Sequence, residues 1–484
     1  MALAAACAAW SAWALASPAE PTSRDWAETT VDDLHFIRAT LRENHPGPVD
    51  PENPAFLAWY RMGFARALER ARRATDFAGY FFAIEYYMAG FRDGHLGALT
   101  ERHLEDHLAE TRLTRRWPGF LVRWEDGAFV VGSVEGTGAL PASGDRLVGC
   151  DNRSAEQWAQ DILEDYVGLW FLQGKRAELA PLLLIDEGNP FVPLPQRCTF
   201  ESASGRRTLT LAWSPIGGRD LVAKLPAFSA GGPSLRRVGD AWWVTVPTFD
   251  VNNTASGAAL RKLTEEVRSQ SAAIGSARLV VFDVRGNRGG DSDAGKALLA
   301  AIWGEAFVDA TEPRPAAIDW RLSAGNIRFL RDVNLRNLRR QFGEDSREAR
   351  QYDELVKAME ASRAKGDTFY REVPGPPPRV AAPDVKARPV LLTDGICASA
   401  CLDFADIVRR LPAAEHVGRE TSADALTIDN RAVTLPSGLG FFGFSMKVLR
   451  GKVRGNNEPY RPSRVFSGDI RDTAALEAWI LGER

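Results

Sequence analysis

Ser399 stands where a strand gives way to a helix in the run PVLLTDGICASACLDFADIVRRL. Pro389 to Leu392 is an apolar run of strand length and Asp394-Gly395 is a turn. Leu402, Ala405, Ile407 and Val408 then supply the apolar positions of a helix beginning near Ala398. A hydroxyl in the first turn of a helix meets unpaired backbone N–H groups and the positive end of the helix dipole, both of which favour developing negative charge. The ordinary use of serine at such a place is as an N-cap. A second segment has the same build. Ala277 to Asp283 (ARLVVFD) is a nearly continuous apolar run that suits a strand buried on both faces. It leads through Arg285-Gly286-Asn287-Arg288-Gly289-Gly290 into Asp291, Ser292 and the helical stretch AGKALLAAIWG. The spacing is G-x-x-G-G and no Gly-Lys-Ser/Thr follows, which excludes a nucleotide cradle. What remains is a turn whose small residues let backbone N–H groups approach a substrate closely, or a purely structural tight turn.

D-V-R-G-N-x-G-G at 283–290 followed by A-S-A at 398–400 resembles the C-terminal-processing (tail-specific) serine protease family. The resemblance implies a crotonase-like or Clp-like core of β-β-α units, with Ser399 as nucleophile. It also implies an oxyanion hole made by the Ala400 amide and by Gly289 or Gly290. A serine hydroxyl needs a base. The bacterial processing branch carries a lysine about two dozen residues past the serine, but no lysine lies between Ser399 and Lys447. A histidine is the natural substitute. His95, in Phe91-Arg92-Asp93-Gly94-His95-Leu96, is similar to the D-G-H motif of the tricorn-like and retinoid-binding-like branch, where the histidine is the base. In that branch a glutamate about sixty residues past the serine completes the set, and Glu458 in RGNNEPYRP falls there. Tricorn-type sites place a serine before the histidine; this chain has Gly94, which leaves Glu458 or Asp93 to orient His95.

His103 and His107, four apart in ERHLEDHLAE, have the spacing of zinc ligands on a helix, but no H-E-x-x-H is present and a solvated charged helix explains the run. No metal and no cofactor is expected. Lys and Arg number 60 against 63 Asp and Glu, a balance that gives no reason to invoke nucleic acid or an acidic membrane surface. Residues 1–19 (MALAAACAAWSAWALASPA) are apolar, too short to span a bilayer, and resemble a secretory signal peptide, although no Lys or Arg precedes Arg24. Export to the periplasm or outside the cell would leave Cys150, Cys198, Cys397 and Cys401, an even number in an oxidising compartment. Cys397 and Cys401 flank the serine closely enough to bridge, and Cys150 would then pair with Cys198; four buried thiols are the alternative.

The 484 residues are long enough for several domains, and the expected architecture is α/β in the multidomain α+β sense. Residues 20–112 read as an aromatic-rich N-terminal helical bundle ending in the D-G-H motif. Residues 113–216 have short alternating runs and G-D-R-L-V and look like a PDZ-like β-rich module, with Pro118-Gly119-Phe120 as a degenerate carboxylate loop. Residues 230–484 form the protease core, interrupted at 317–380 by a charged helical insertion. The perfect G-L-G-F at Gly438 to Phe441 has too little chain after it to build a second module. The resemblance implies an exported serine endopeptidase acting on polypeptides captured in part by the PDZ-like module. The rival reading is a catalytically weak or inactive scaffold of the same fold that binds a lipid, a retinoid-like ligand or a peptide. An α/β-hydrolase esterase lacks its G-x-S-x-G elbow here.

Overall fold

Apolar residues at helical spacing and three acidic or amide N-caps produce three helices at the start of the chain. The computed structural model describes residues 24–99, 113–136, 138–225 and 231–482; the leader-like residues 1–19 and the His103/His107 pair lie outside them. α1 (Trp26–Asn44), α2 (Pro54–Ala71) and α3 (Phe77–Ala89) are capped by Asp25, Asn53 and Asp76, whose side chains accept first-turn N–H groups. α3 is apolar almost all round and is buried accordingly, its Tyr80, Ile84 and Tyr87 sharing a core with Leu34, Ile37 and Leu41 of α1. A short strand, β1 (Gly97–Leu99), follows directly after the D-G-H turn.

The next region is an antiparallel sheet of β2 (Phe120–Glu125), β3 (Ala128–Val134), β4 (Arg146–Cys150), β5 (Arg197–Ser202) and β6 (Gly205–Thr210), paired in that order. Phe120, Phe200, Trp158 and Trp170 fill its core, and Cys150 and Cys198, facing each other across β4 and β5, are joined as a disulfide.

The core begins with β7 (Ser234–Val238) and β8 (Ala241–Thr245), followed by α4 (Thr254–Ser269), β9 (Leu279–Asp283) and α5 (Ser292–Trp303). β10 (Ala317–Arg321), α6 (Arg347–Ala364) and β11 (Phe369–Glu372) come next, then β12 (Arg388–Thr393) and α7 (Ala400–Val408). β13 (Glu415–Gly418), β14 (Thr427–Thr434), β15 (Phe441–Arg450), β16 (Arg464–Val465) and α8 (Thr473–Gly482) complete it. One six-stranded sheet has the order β7-β8-β9-β12-β13-β16, all parallel except the β7–β8 hairpin. Every residue of β9 is buried, as its unbroken apolar run requires. The parallel neighbours β9 and β12 deliver their following loops, 284–291 and 394–399, to the same end of this sheet.

The second sheet, antiparallel, runs β1-β15-β10-β11, with β14 also on β15. Gly97 lies opposite Gly443, so the chain just past His95 is stitched into the core. The stretch 317–380, expected as a charged helical insertion, is therefore tied to this sheet at both ends by β10 and β11. Its Leu330, Leu338, Tyr352 and Met359 pack against Trp320 and Met446, because one face of the arm is apolar despite its many charges. The G-L-G-F run lies in the turn between β14 and β15, where Leu439 and Phe442 enter the core of the helical region. Among the described residues no helix is long and apolar enough to cross a membrane.

A buried ionic cluster fastens the helical region to this sheet. Arg450 on β15 donates to Asp50 at 2.9 and 3.0 Å and to Asp319 on β10 at 2.8 Å. Arg450→Met strands the buried Asp50 carboxylate, while Asp319 keeps Arg371, and is expected to lower unfolding free energy by about 3 kcal/mol in a denaturant titration. A loss under about 1 kcal/mol would show that the pair behaves as a solvated surface bridge.

Candidate active site

The loop after β9 is built from its own side chains. Asn287, fully buried, donates to the Val246 carbonyl at 2.8 Å and accepts the Gly289 N–H at 2.8 Å. Arg285, also buried, binds Asp283 and reaches the Ile470 carbonyl and Thr473 at the start of α8. The Gly289 carbonyl accepts the Phe249 N–H at 3.0 Å, and Asp291 N–H bonds back to the Phe249 carbonyl at 2.8 Å. Gly289 has φ +96°, and a Cβ built there would lie 2.7 Å from Ser399 Cβ and 2.9 Å from Ala400 N. The glycine is required twice, by its dihedral and by the main chain's direct approach to the serine.

The loop after β12 meets it through Asp394. This fully buried carboxylate accepts the Ile396 N–H of its own turn at 3.1 Å and the Gly286 N–H of the other loop at 2.9 Å. Burial pushes the Asp394 carboxyl up to about 7. Gly395 and Gly174, glycine against glycine, bring the Gln173–Leu179 helix of the β-rich region against this turn, and Glu178 pairs with Arg288 of the first loop.

Ser399 itself sits at φ 54°, ψ −125°, and its side chain makes no capping bond to α7. The N-cap use of this serine is thereby excluded, and a conformation that costs about 1–3 kcal/mol is retained instead. Ser399 N–H donates to Asp424 Oδ2 at 2.8 Å. The Ala400 N–H, at the first helical position, has no hydrogen-bond partner among the described residues. Of the two glycines expected as the second oxyanion donor, Gly289 has its amide committed to Asn287. The Gly290 N–H belongs to the peptide whose carbonyl binds Phe249, and in a trans peptide it points the opposite way. Cys397 and Cys401, both fully buried, form a disulfide across the turn that carries Ser399.

His95 lines the same small cavity as Ser399, about 50 Å³, with Leu426, Ile428, Asp424, Lys452 and Arg454 around it. A larger groove of about 910 Å³ lies between the helical and β-rich regions, and none of these residues lines it. The His95 N–H donates to Asp93 Oδ1 at 2.9 Å, its carbonyl accepts from Asn430 at 3.0 Å, and its Nδ1 lies 3.8 Å from Asp93 Oδ1 with no hydrogen-bond partner. Burial raises the Asp93 carboxyl above its ordinary range, against the opposing pull of His95 and of Thr427, which donates to Oδ2. His45 lies on the far side of Asp93, its Nε2 3.9 Å from Oδ2.

Glu458 is not part of this arrangement. It is exposed and its carboxylate closes its own turn by accepting the Gly455 N–H at 2.8 Å, so of the two expected orienters only Asp93 faces His95. The loop around Glu458 nevertheless contributes through its neighbours. Asn457 donates to the Arg92 carbonyl at 2.7 Å and its N–H to the Asp424 carbonyl at 2.9 Å. Lys452 reaches the cavity but is held by Asp403 at 2.8 Å. Burial alone would raise the Asp403 carboxyl, yet Lys452 and Arg454 hold it down at about 2. Asp424 and Asp394 carry no signal in the sequence beyond ordinary turn residues, whereas Asn287 belongs to the D-V-R-G-N-x-G-G run. No group of three or more His, Cys, Asp or Glu among the described residues could hold a metal ion.

Two strand–loop–helix units converging on a serine with an unpartnered amide beside it define a serine-type peptidase. Residues 242–442 match the family model described as Peptidase family S41. No curated protein matches it in sequence. Among solved structures, mature CPAF is similar at 14% identity and a TM-score of 0.61, over 94% of this chain and 96% of that one. Mature CPAF complexed with lactacystin gives the same identity and TM-score over 94% and 97%. A CPAF mutant gives 14% identity and a TM-score of 0.62 over 94% and 96%. These likenesses describe a shared fold.

Gly289→Ala is expected to lower peptidase activity by about 10²-fold or more while the protein stays folded, since the new methyl must push Ser399 and Ala400 away from the loop. Retention of activity near the parent level in a folded variant would show that the loop yields freely. The Asp394 carboxyl, raised from 3.8 to about 7, favours the protonated folded state; that stability is complete below pH 3.8 and is lost as pH rises through about 7. The Tm of the parent relative to Asp394→Asn should therefore fall across that window in scanning calorimetry, and a constant difference would refute the shift.

Proposed function

We propose that the chain is an exported serine endopeptidase in which Ser399 is the nucleophile and His95 the general base. The observation that carries this reading is the Ser399 turn: a serine in a strained conformation, relieved of any capping role, sharing a cavity with a histidine. With Nδ1 of His95 turned to Asp93, Nε2 is left to take the proton as Ser399 Oγ attacks the scissile carbonyl, and to return it to the leaving amine. The Ala400 and Gly290 amides receive the oxyanion. Water then repeats the sequence on the acyl-enzyme. Residues 113–216 act as a PDZ-like module that takes an extended peptide as an added strand. Supporting this, β2 follows the Pro118-Gly119-Phe120 loop and is an edge of its sheet. Export is supported by the leader-like start and by two disulfides, bonds that persist in oxidising compartments.

Reaction with a fluorophosphonate probe, the adduct mapped by peptide mass, tests the site. The parent protein should be labelled at Ser399, and Ser399→Ala and His95→Ala should each lose labelling and casein hydrolysis by roughly 10⁴-fold. An unlabelled, folded parent protein would turn the reading to the binding scaffold and its lipid, retinoid-like or peptide ligand.

A further inference from the structure

The strained main chain of Ser399 needs a restraint that the helix it begins does not supply. Among the described residues the one acceptor of its N–H is Asp424 Oδ2 at 2.8 Å, and a carboxylate acceptor makes such a bond stronger than a neutral one. Asp424 is itself held from behind. Its carbonyl accepts the Asn457 N–H at 2.9 Å, and the guanidinium of Arg454, buried to 3% exposure, stands 4.0 Å from its carboxylate. The same guanidinium binds Asp403 and Asp406 at 3.1 Å each, residues that lie on α7 one and two turns beyond the serine. One buried cation therefore spans the helix that carries the nucleophile and the loop that restrains it. Asp403 extends the connection by accepting the Ser292 hydroxyl at 2.8 Å, at the end of the glycine loop.

We propose that Asp424, backed by Arg454, is a positioning residue for the nucleophile. It occupies the Ser399 N–H, so that the oxyanion is received by the Ala400 amide one residue later. Asp424 lines the cavity but takes no part in bond making. This proposal rests on the peptidase reading above, and the experiment separates the two.

The inactivation constants of a fluorophosphonate probe, kinact and KI, are measured with casein hydrolysis on the parent, Asp424→Ala, Asp424→Asn and Arg454→Lys proteins. Asp424→Ala should lose about 10–100-fold in kinact with KI within about twofold, the size of one charge-assisted hydrogen bond. Asp424→Asn, which keeps an acceptor oxygen, should recover most of that loss. Arg454→Lys, unable to reach both the helix and the loop, should fall between them and carries the test if Asp424→Ala does not fold. Undiminished kinact in folded Asp424→Ala or in Arg454→Lys would overturn the positioning role while leaving the nucleophile intact. A loss in Asp424→Asn equal to that in Asp424→Ala, or one confined to KI, would overturn it too. No adduct on the parent protein would overturn the peptidase reading, and this proposal with it.

Discussion

The structure turns on the backbone-to-backbone contact between Gly289 and Ser399. Side chains on either loop can be re-packed, but a main chain brought to within a methyl group's width of another leaves no room for error. Everything around the contact maintains it. Parallel pairing of β9 and β12 brings both loops to one end of the sheet. Asp394 bonds one loop to the other, Asn287 ties the first to Val246, and a disulfide closes the second. The buried β9, apolar up to Asp283, lets this end of the sheet be rigid, because neighbouring strands and helices cover both its faces.

The third participant comes from far away in sequence, and its placement depends on a different sheet. His95 leaves the helical region at a turn organised by Asp93, and β1 pairs with β15 immediately afterwards. Asp33 in α1 bonds Tyr80 of α3 and Ser437 of the β14–β15 turn, and Arg450 at the end of β15 binds Asp50. The aromatic core of the helical region thus fixes a single histidine relative to a serine roughly three hundred residues later. On the proposed mechanism this is why the helical region is built so heavily around the turn that ends in His95.

Much of this was open to a reading of the sequence. The two strand–loop–helix units and the aromatic helices are local patterns, set by the period of the apolar residues and by glycine. What escaped is tertiary. Asp394 reads as half of an Asp-Gly turn, and only the partner loop's Gly286 N–H gives its second oxygen a purpose. Asp424 lies at about the distance past the serine at which the lysine-dependent branch carries its base. Here a carboxylate takes that spacing and binds the Ser399 amide. Glu458 shows the reverse failure: the spacing was right for a catalytic carboxylate, but a side chain beside a glycine finds its own backbone first. The arm at 317–380 is helical and charged as its sequence reads, but the apolar face that packs it on the sheet is set by tertiary neighbours, Trp320 and Met446.

The surroundings of Asp93 bear on what a nearby carboxylate would do for His95 in the proposed mechanism. Burial disfavours the charged form of Asp93, and the nearest compensations are His95 and Thr427. His45 could have competed for that charge, but burial pushes its imidazole down to about 3, so it stays neutral. Its Nδ1 accepts the Gly47 N–H at 3.0 Å, which leaves the proton on Nε2, facing Asp93. The buried carboxylate is therefore flanked by one imidazole that remains neutral and one that can become charged. On the proposed mechanism His95 becomes cationic only when it takes the serine proton. The attraction across 3.8 Å then rises from that between a dipole and a charge to that between two charges in a poorly solvated place. An interaction that strengthens only as the proton moves lowers the barrier without tightening substrate binding. On that mechanism Asp93 contributes through this change in charge, with no need for a tight hydrogen bond in the resting site.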